Sequence, residues 1–216
     1  MMKCNCVVFD LDGTLLDTLG DLRDSVNFAL SKNNLPPRTT EEIKAFVGNG
    51  IRLLIERSVP ENTKLSLVDK CFEDFKAHYK ANSANLTKAY DGIDELLSIL
   101  KSRGVKLAVV SNKADFAVKT LVEGYFPDVF DCAVGEKEGV KRKPAPDTVF
   151  AVMNELNVNK NEVVYIGDSE VDIETSKNAD IPCISVTWGF RDKKVLEKLC
   201  PEYIVDSPKD ILNIIL

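Results

Sequence analysis

Short apolar runs, each followed by polar residues, recur along the chain and predict the strands of a buried sheet. They lie at residues 7–9, 106–110, 130–134, 163–166, 183–186 and 203–205. Runs of this length are typical of strands that are covered on both faces. Segments with helical periodicity lie between the runs, at residues 92–102, 114–123, 147–156 and 171–178. Because strands alternate with helices, the pattern predicts an α/β fold with a doubly wound parallel sheet, similar to a Rossmann fold.

One long stretch departs from this alternation. Residues 16–86 show helical periodicity with almost no strand signal, and Pro36-Pro37 and Val59-Pro60 interrupt it. We therefore predict a catalytic α/β core formed by residues 1–15 and 87–216, with an all-helical cap inserted at residues 16–86. An insertion at the carboxyl edge of a sheet is placed to act as a lid that excludes water and selects the leaving group. The alternative is a packing domain without motion.

Composition limits the possible functions. The chain has 216 residues, 44% of them hydrophobic, which is enough to bury the core of one large or two smaller domains. A formal net charge of −6 argues against a general nucleic-acid binder. No apolar stretch approaches the roughly 20 residues that span a bilayer, so we expect neither a membrane anchor nor a signal peptide, and a cytoplasmic location. The six cysteines lack metal-finger spacing, and the single histidine, His78, is expected on a helix surface.

The first apolar run ends in Asp10-Leu11-Asp12-Gly13-Thr14. Alternation along an extended chain sends Asp10 and Asp12 to the same side. Two carboxylates at that distance repel each other unless a cation lies between them or one is protonated. Hard oxygen ligands suit magnesium, so the motif predicts a Mg²⁺ site at a strand end. A turn rich in aspartate, or a helix cap, is the structural alternative.

Three further segments have the same layout. The run at 105–110 ends in Ser111-Asn112-Lys113, the run at 163–166 ends in Gly167-Asp168-Ser169, and the basic stretch 141–143 lies between them. Each has a plain alternative, as a helix cap, a charged first helical turn or an exposed basic loop. The carboxyl ends of parallel strands share one crevice, so we expect all four segments to converge on one cation and one transferable group.

In this order the four segments resemble the signature motifs of the haloacid dehalogenase-like phosphohydrolases. The resemblance covers the whole chain and implies hydrolysis of a phosphate ester through an aspartyl-phosphate. Asp10 would be the nucleophile, and Asp12, in a negatively charged neighbourhood, would protonate the leaving group and deprotonate the attacking water. Lys143 would neutralise the phosphoryl oxygens. Asp10, the main-chain carbonyl of Asp12 and Asp168 would hold Mg²⁺.

The remaining motif residues complete the expected site. Asp172 lies one helical turn after Asp168 and would orient the water ligands of the metal. Thr14, Ser111 and Asn112 would donate hydrogen bonds to the phosphoryl group.

A narrower resemblance concerns the substrate. Residues 47–54, the segment Ser111-Asn112-Lys113 and residues 188–191 are similar to those of phosphoglycolate phosphatases. This implies that a small phosphate monoester is the substrate, with 2-phosphoglycolate as the first candidate. The cap residues expected to contact it are Gly48, Asn49, Gly50 and Arg52. An ordinary exposed helix arginine is an equally simple interpretation of Arg52.

Several alternatives stay open at this level. Related caps on the same core accept sugar phosphates, nucleotides or pyrophosphate, and a phosphoglucomutase-type phosphotransferase shares the core. A phosphoacceptor signalling module is an alternative of a different class, in which the phospho-aspartate persists instead of turning over. We expect a small-molecule phosphate ester as partner, no nucleic acid or membrane, and a monomer or homodimer.

Overall fold

A computed structural model describes residues 4–48 and 50–216. The chain divides into two compact units. One comprises the chain up to Leu16 together with Ala89–Leu216, and the other comprises Asp17–Lys88. Asn49, one of the residues expected to contact substrate, lies outside the described residues.

The first unit is built on a parallel sheet of six strands, which confirms the predicted α/β fold. Its strand order is β5-β4-β1-β6-β7-β8, and every neighbouring pair is parallel. Two very short strands, β2 and β3, pair separately. The bounds are β1 Cys6–Phe9, β2 Leu16–Asp17, β3 Lys88–Ala89, β4 Lys106–Ala114, β5 Cys132–Glu136, β6 Val163–Gly167, β7 Cys183–Val186 and β8 Tyr203–Val205.

Helices connect the strands of the first unit and make up about two thirds of the second. Those of the second unit are α1 Leu19–Lys32, α2 Thr40–Phe46, α3 Ile51–Ser58 and α4 Leu65–Asn82. Those of the first unit are α5 Ile93–Ser102, α6 Asp115–Tyr125, α7 Asp147–Glu155, α8 Glu170–Ala179, α9 Lys193–Lys198 and α10 Pro208–Ile215, with a 3₁₀ turn at Lys160–Glu162. In the described part of the chain, no helix combines the length and apolar character that crossing a bilayer requires.

The sheet is covered on both faces, which explains the nearly continuous apolar runs. Val7 and Phe9 of β1 belong to one buried cluster, whereas Cys6 and Val8 belong to the other. All four side chains are fully buried, as strand alternation between two covered faces requires. The central strands are therefore fixed on both sides, and their carboxyl ends lie at one edge.

The second unit has its own apolar core, made by α1 to α4. A buried carboxylate ties its two ends together, because Asp21 near the start of α1 accepts hydrogen bonds from residues near the end of the unit. The donors are the main-chain N–H groups of Leu86 and Thr87, at 2.9 Å each, and the Thr87 hydroxyl at 2.7 Å. The charge of Asp21 is thus met by three donors inside this unit.

The structure differs from the sequence prediction in several elements: the short strands β2 and β3 are not predicted, and β5 lies two residues later than its predicted position at 130–134. Helices α2 and α9 are not predicted, because each is short and has a single fully buried apolar side chain, Ile43 or Leu196. Strand β4 continues to Ala114, past its predicted end at residue 110, with a register irregularity opposite β5. Residues 111–113 therefore lie within a strand rather than in a loop.

Candidate active site

Three adjacent strands bring the predicted motifs to one edge of the sheet. Asp10 follows β1, whose neighbours are β4 and β6. Asp168 follows β6, and the Asp10 N–H donates to the Ile166 carbonyl at 2.9 Å, which extends the pairing to the strand end. Because the strands are parallel and in register, residues far apart in the chain meet at this edge.

Three buried carboxylates form the centre of the site, and we call Asp10, Asp168 and Asp172 the carboxylate cluster. One oxygen from each lies within 4.8 Å of the others. Burial, opposed by nearby Lys143 and reinforced by the charge of Asp172, raises the pKa of Asp10 to about 7. Burial, followed by the charges of Asp172 and Asp10, raises the pKa of Asp168 well above its usual range. Oxygen donors with an excess of buried negative charge fit a divalent cation such as Mg²⁺.

Lys143 supplies the positive charge within this cluster. Its Nζ lies 3.0 Å from Asp10 Oδ1 and 2.7 Å from Asp172 Oδ1, and its side chain is 3% exposed. Burial opposes the charge, but the two carboxylates outweigh burial and raise the pKa of Lys143 well above its ordinary value. The neighbouring Lys141 and Arg142 are exposed. The structure thus distinguishes Lys143 from its basic neighbours, which the sequence could do only by motif order.

Tyr165 of β6 is a site residue that the sequence analysis missed. Its hydroxyl accepts a hydrogen bond from Lys143 Nζ at 3.0 Å and donates one to the Val110 carbonyl at 3.1 Å. Tyr165 is fully buried. The only signal in the sequence is a polar hydroxyl inside an apolar run, which by itself does not reveal a partner.

The Asp12 carboxylate pairs with a cation that the sequence analysis did not expect. Lys113 Nζ donates to both carboxylate oxygens of Asp12, at 2.8 and 2.9 Å. The sequence analysis gave Lys113 no role, because 101 residues separate the pair. The metal contact predicted for Asp12 concerns its main-chain carbonyl and stays a prediction.

The chain around Phe190 contacts Asp168 and is the fifth chain segment that contributes to the site. The Phe190 N–H donates to Asp168 Oδ2 at 2.6 Å, and the Thr14 hydroxyl donates to Oδ1 at 3.3 Å. Gly13 has φ 86°, and a Cβ there would lie 2.5 Å from Asp168 Oδ2. A Cβ on Gly189 would collide with Asp168 and with the Gly13 carbonyl. The sequence analysis expected Thr14 to bind phosphate. In the structure, its hydroxyl contacts Asp168 of the carboxylate cluster.

Ser111 and Asn112 both form contacts within the protein. The Ser111 hydroxyl accepts from the Lys113 N–H at 3.3 Å, and the Asn112 amide donates to the Lys143 carbonyl at 3.0 Å. Asn112 therefore ties the end of β4 to the chain segment that carries Lys143. Phosphate binding by these two residues stays a prediction.

Asp172 has two functions in the structure. It lies in the first turn of α8, where its Oδ2 accepts from the Ser169 N–H at 3.1 Å and the Ser169 hydroxyl at 2.6 Å. Its Oδ1 pairs with Lys143. The helix cap and the ion pair together fix this carboxylate beside Asp10 and Asp168.

The candidate substrate residues of the insertion lie in the second unit. Arg52 forms ion pairs with Glu56 at 2.7 Å and Asp69 at 2.6 Å. Gly48 and Gly50, before α3, have φ values of 125° and 90°, which favour glycine. Substrate contacts by these residues stay a prediction.

Known proteins of one family are similar to this chain in sequence. A family model described as haloacid dehalogenase-like hydrolase matches residues 7–186. A phosphoglycolate phosphatase of Psychrobacter arcticus is 30% identical, with 100% of this chain and 97% of the relative covered. One from Aquifex aeolicus is 30% identical over 96% of this chain and 95% of the relative.

A solved structure is also similar to this chain over its whole length. A crystal structure from Lactobacillus delbrueckii subsp. bulgaricus, provisionally assigned as a phosphoglycolate phosphatase, is 38% identical with a TM-score of 0.95, covering 100% of this chain and 99% of that one. Since the family model spans most of the chain and the relatives match it over nearly their whole length, the chain belongs to the haloacid dehalogenase-like hydrolases and within them is similar to phosphoglycolate phosphatases.

Proposed function

We propose that this protein is a magnesium-dependent phosphatase that hydrolyses a small phosphate monoester through an aspartyl-phosphate on Asp10. The observation that carries the proposal is the buried contact of Asp10 with Lys143 inside the carboxylate cluster. Family membership supports hydrolysis, and the relatives named phosphoglycolate phosphatase make 2-phosphoglycolate the first substrate to test.

The residues proposed to hold Mg²⁺ are Asp10, Asp168 and the main-chain carbonyl of Asp12, with Asp172 orienting its water ligands. The bound ion would offset negative charge on the carboxylates and on the phosphoryl group. The buried charge excess of the carboxylate cluster supports this assignment.

Asp10 is proposed as the nucleophile. An Asp10 carboxylate oxygen bonds to phosphorus while the ester P–O bond breaks and its electron pair leaves with the alkoxide. Lys143 favours the ionised form of Asp10 and places a positive charge beside the incoming phosphoryl oxygens. Since phosphoryl transfer depends on positioning and charge stabilisation, this pair is the core of the proposed mechanism.

Asp12 is proposed as the general acid and base. It gives a proton to the leaving alkoxide in the first step, and then accepts a proton from the water that attacks phosphorus. That attack breaks the bond between phosphorus and Asp10, so inorganic phosphate leaves and the free carboxylate is restored. Thr14, Ser111 and Asn112 are proposed to bind the phosphoryl group.

We also propose that the helical insertion serves as a cap that selects the substrate. The residues proposed to contact the substrate are Gly48, Asn49, Gly50 and Arg52. Arg52→Ala is then expected to raise KM for 2-phosphoglycolate with a smaller effect on kcat, because it removes binding energy rather than reacting groups.

The test is phosphate release from a panel of small phosphate esters, with Mg²⁺ or with EDTA. We expect turnover with Mg²⁺, none in EDTA, and a loss of at least about 1,000-fold in Asp10→Asn. Asp94→Asn, a change at an exposed aspartate of α5, is the matched control and should keep wild-type activity. Intact turnover in Asp10→Asn would contradict the nucleophile assignment, and a phospho-aspartate that forms without turnover would favour a signalling module.

A further inference from the structure

The ion pair between Lys113 and Asp12 has no part in the roles assigned so far. Lys113 lies near the end of β4, and its Nζ contacts both oxygens of the Asp12 carboxylate. The exposed fraction of the two side chains is 5% for Lys113 and 17% for Asp12. An ion pair sheltered in this way is screened much less than a surface pair.

Lys113 also has a firmly held main chain. Its N–H donates to the Ser111 hydroxyl at 3.3 Å. Strand β5 passes so close that a Cβ on Gly135 would collide with the Lys113 carbonyl and with the main chain of Asp115. The ammonium is therefore presented by a rigid strand end, the kind of element that holds another side chain in place accurately.

Two N–H···O bonds to the two carboxylate oxygens restrict both the position and the rotation of that group. Asp12 follows β1 by only a few residues, and Lys113 crosses from the neighbouring strand. Without Lys113, the Asp12 carboxylate would lose its two bonds to this strand end. A general acid must lie within hydrogen-bond reach of the leaving oxygen, so its position limits the rate.

We infer that Lys113 is a positioning residue that holds the Asp12 carboxylate where it can exchange protons with the leaving group. The inference rests on the proposed phosphatase function. Lys113 acts through Asp12 in this account and makes no bond to the reacting atoms.

The leaving group distinguishes this role from a general structural one. The alkoxide of an alkyl phosphate such as 2-phosphoglycolate is a strong base and needs a proton as it leaves. The p-nitrophenolate of p-nitrophenyl phosphate is a stable anion and leaves without one. Misplacing the general acid should therefore slow the first substrate and spare the second.

The experiment measures kcat/KM of Lys113→Met on both esters. The value of kcat/KM depends only on the steps up to the departure of the leaving group. The later hydrolysis step, which both substrates share, therefore does not affect it. We expect a fall of roughly 10- to 100-fold on 2-phosphoglycolate and of less than about two-fold on p-nitrophenyl phosphate. Lys119→Met, an exposed lysine on α6 that pairs with Asp115, is the matched control and should change neither value.

A double-mutant cycle tests whether Lys113 acts through Asp12. Asp12→Asn should show the same selective loss on 2-phosphoglycolate, and adding Lys113→Met to it should cause no further loss. If Lys113→Met melts below the assay temperature, Lys113→Gln replaces it, since its neutral amide keeps a buried donor without the charge that pairs with Asp12, and a smaller loss that is again confined to 2-phosphoglycolate is expected.

Equal losses on the two esters would overturn the inference, because they would place Lys113 on the phosphoryl group or in general stability. Additive losses with Asp12→Asn would also overturn it. Both results leave the proposed function intact, as long as the wild type hydrolyses the esters and Asp10→Asn does not. A wild type that releases no phosphate from either ester would remove the proposed function and this inference together.

Discussion

At the scale of single residues, the site holds like charges close together in a buried position, which does not stabilise the fold. The carboxylate cluster brings three buried acids together with one buried cation, Lys143. Buried carboxylates near one another favour protonation or a bound cation, so the cluster destabilises the metal-free protein as the pH rises. A loss of stability of this kind is typical of residues that are retained because the reaction needs them.

We predict that Asp10→Asn stabilises the metal-free protein at pH 8. In the folded protein the pKa of Asp10 is raised from 3.8 to about 7. A raised pKa contributes stability at low pH, and this contribution is lost as the pH rises through 7, whereas asparagine stays neutral throughout. Urea unfolding in EDTA should show a gain of about 1–4 kcal/mol at pH 8 that shrinks toward pH 4. A variant less stable than the wild type at pH 8 would contradict this account of the cluster.

At the scale of elements, what the sequence could predict depended on buried apolar side chains. The run at Tyr203–Val205 forms β8 with the predicted bounds, and β7 also has its predicted bounds. Helix α2 was missed because its single fully buried side chain, Ile43, gives no periodic pattern. Local pattern is informative where an element covers a core, and much less so elsewhere.

Contacts between distant segments could not be read from the sequence in the same way. Motif order predicted Asp10, Lys143 and Asp168, but gave no role to Lys113 or Tyr165. Their partners are set by tertiary packing, and 101 residues separate Lys113 from Asp12. The extension of β4 through residues 111–114 has the same origin, since pairing with β5 holds polar residues in a strand.

The segment after β7 should control metal binding through main-chain geometry. We predict that Gly189→Ala lowers Mg²⁺ affinity about 10-fold or more, because the new Cβ would displace Asp168, which the neighbouring Phe190 N–H holds. Isothermal titration with Mg²⁺ alone measures the effect without substrate. Gly124→Ala on α6, where a Cβ would meet nothing within 4 Å, is the control and should bind as the wild type does. Equal affinities in all three proteins would show that this segment does not hold the ligand.

Helix α1 should be held to the end of the second unit by one carboxylate. We predict that Asp21→Asn lowers the free energy of unfolding by about 1–3 kcal/mol, since an amide oxygen cannot replace the charged acceptor of three donors. Hydrogen exchange at the Leu86 and Thr87 amides should become faster. Asp24→Asn, on the exposed side of α1, serves as the reference. Unchanged exchange at these two amides would refute the role of Asp21.

At the scale of the whole molecule, two compact units each have their own apolar core. The parallel sheet of the first unit explains why residues from five chain segments meet at one edge. The second unit, from Asp17 to Lys88, lies between the first motif and the remaining ones in the chain. The chemistry that we propose thus depends on the order of the strands, whereas substrate choice is assigned to the insertion.

The most direct test of the central claim is detection of the covalent intermediate on Asp10. The enzyme is mixed with Mg²⁺ and 2-phosphoglycolate, quenched in acid, reduced with borohydride and digested for mass spectrometry. Reduction converts an acyl phosphate of aspartate to homoserine, so we predict homoserine at position 10 in the wild type only when substrate is present. An unmodified Asp10 under conditions of steady turnover, or the label on another residue, would contradict the account.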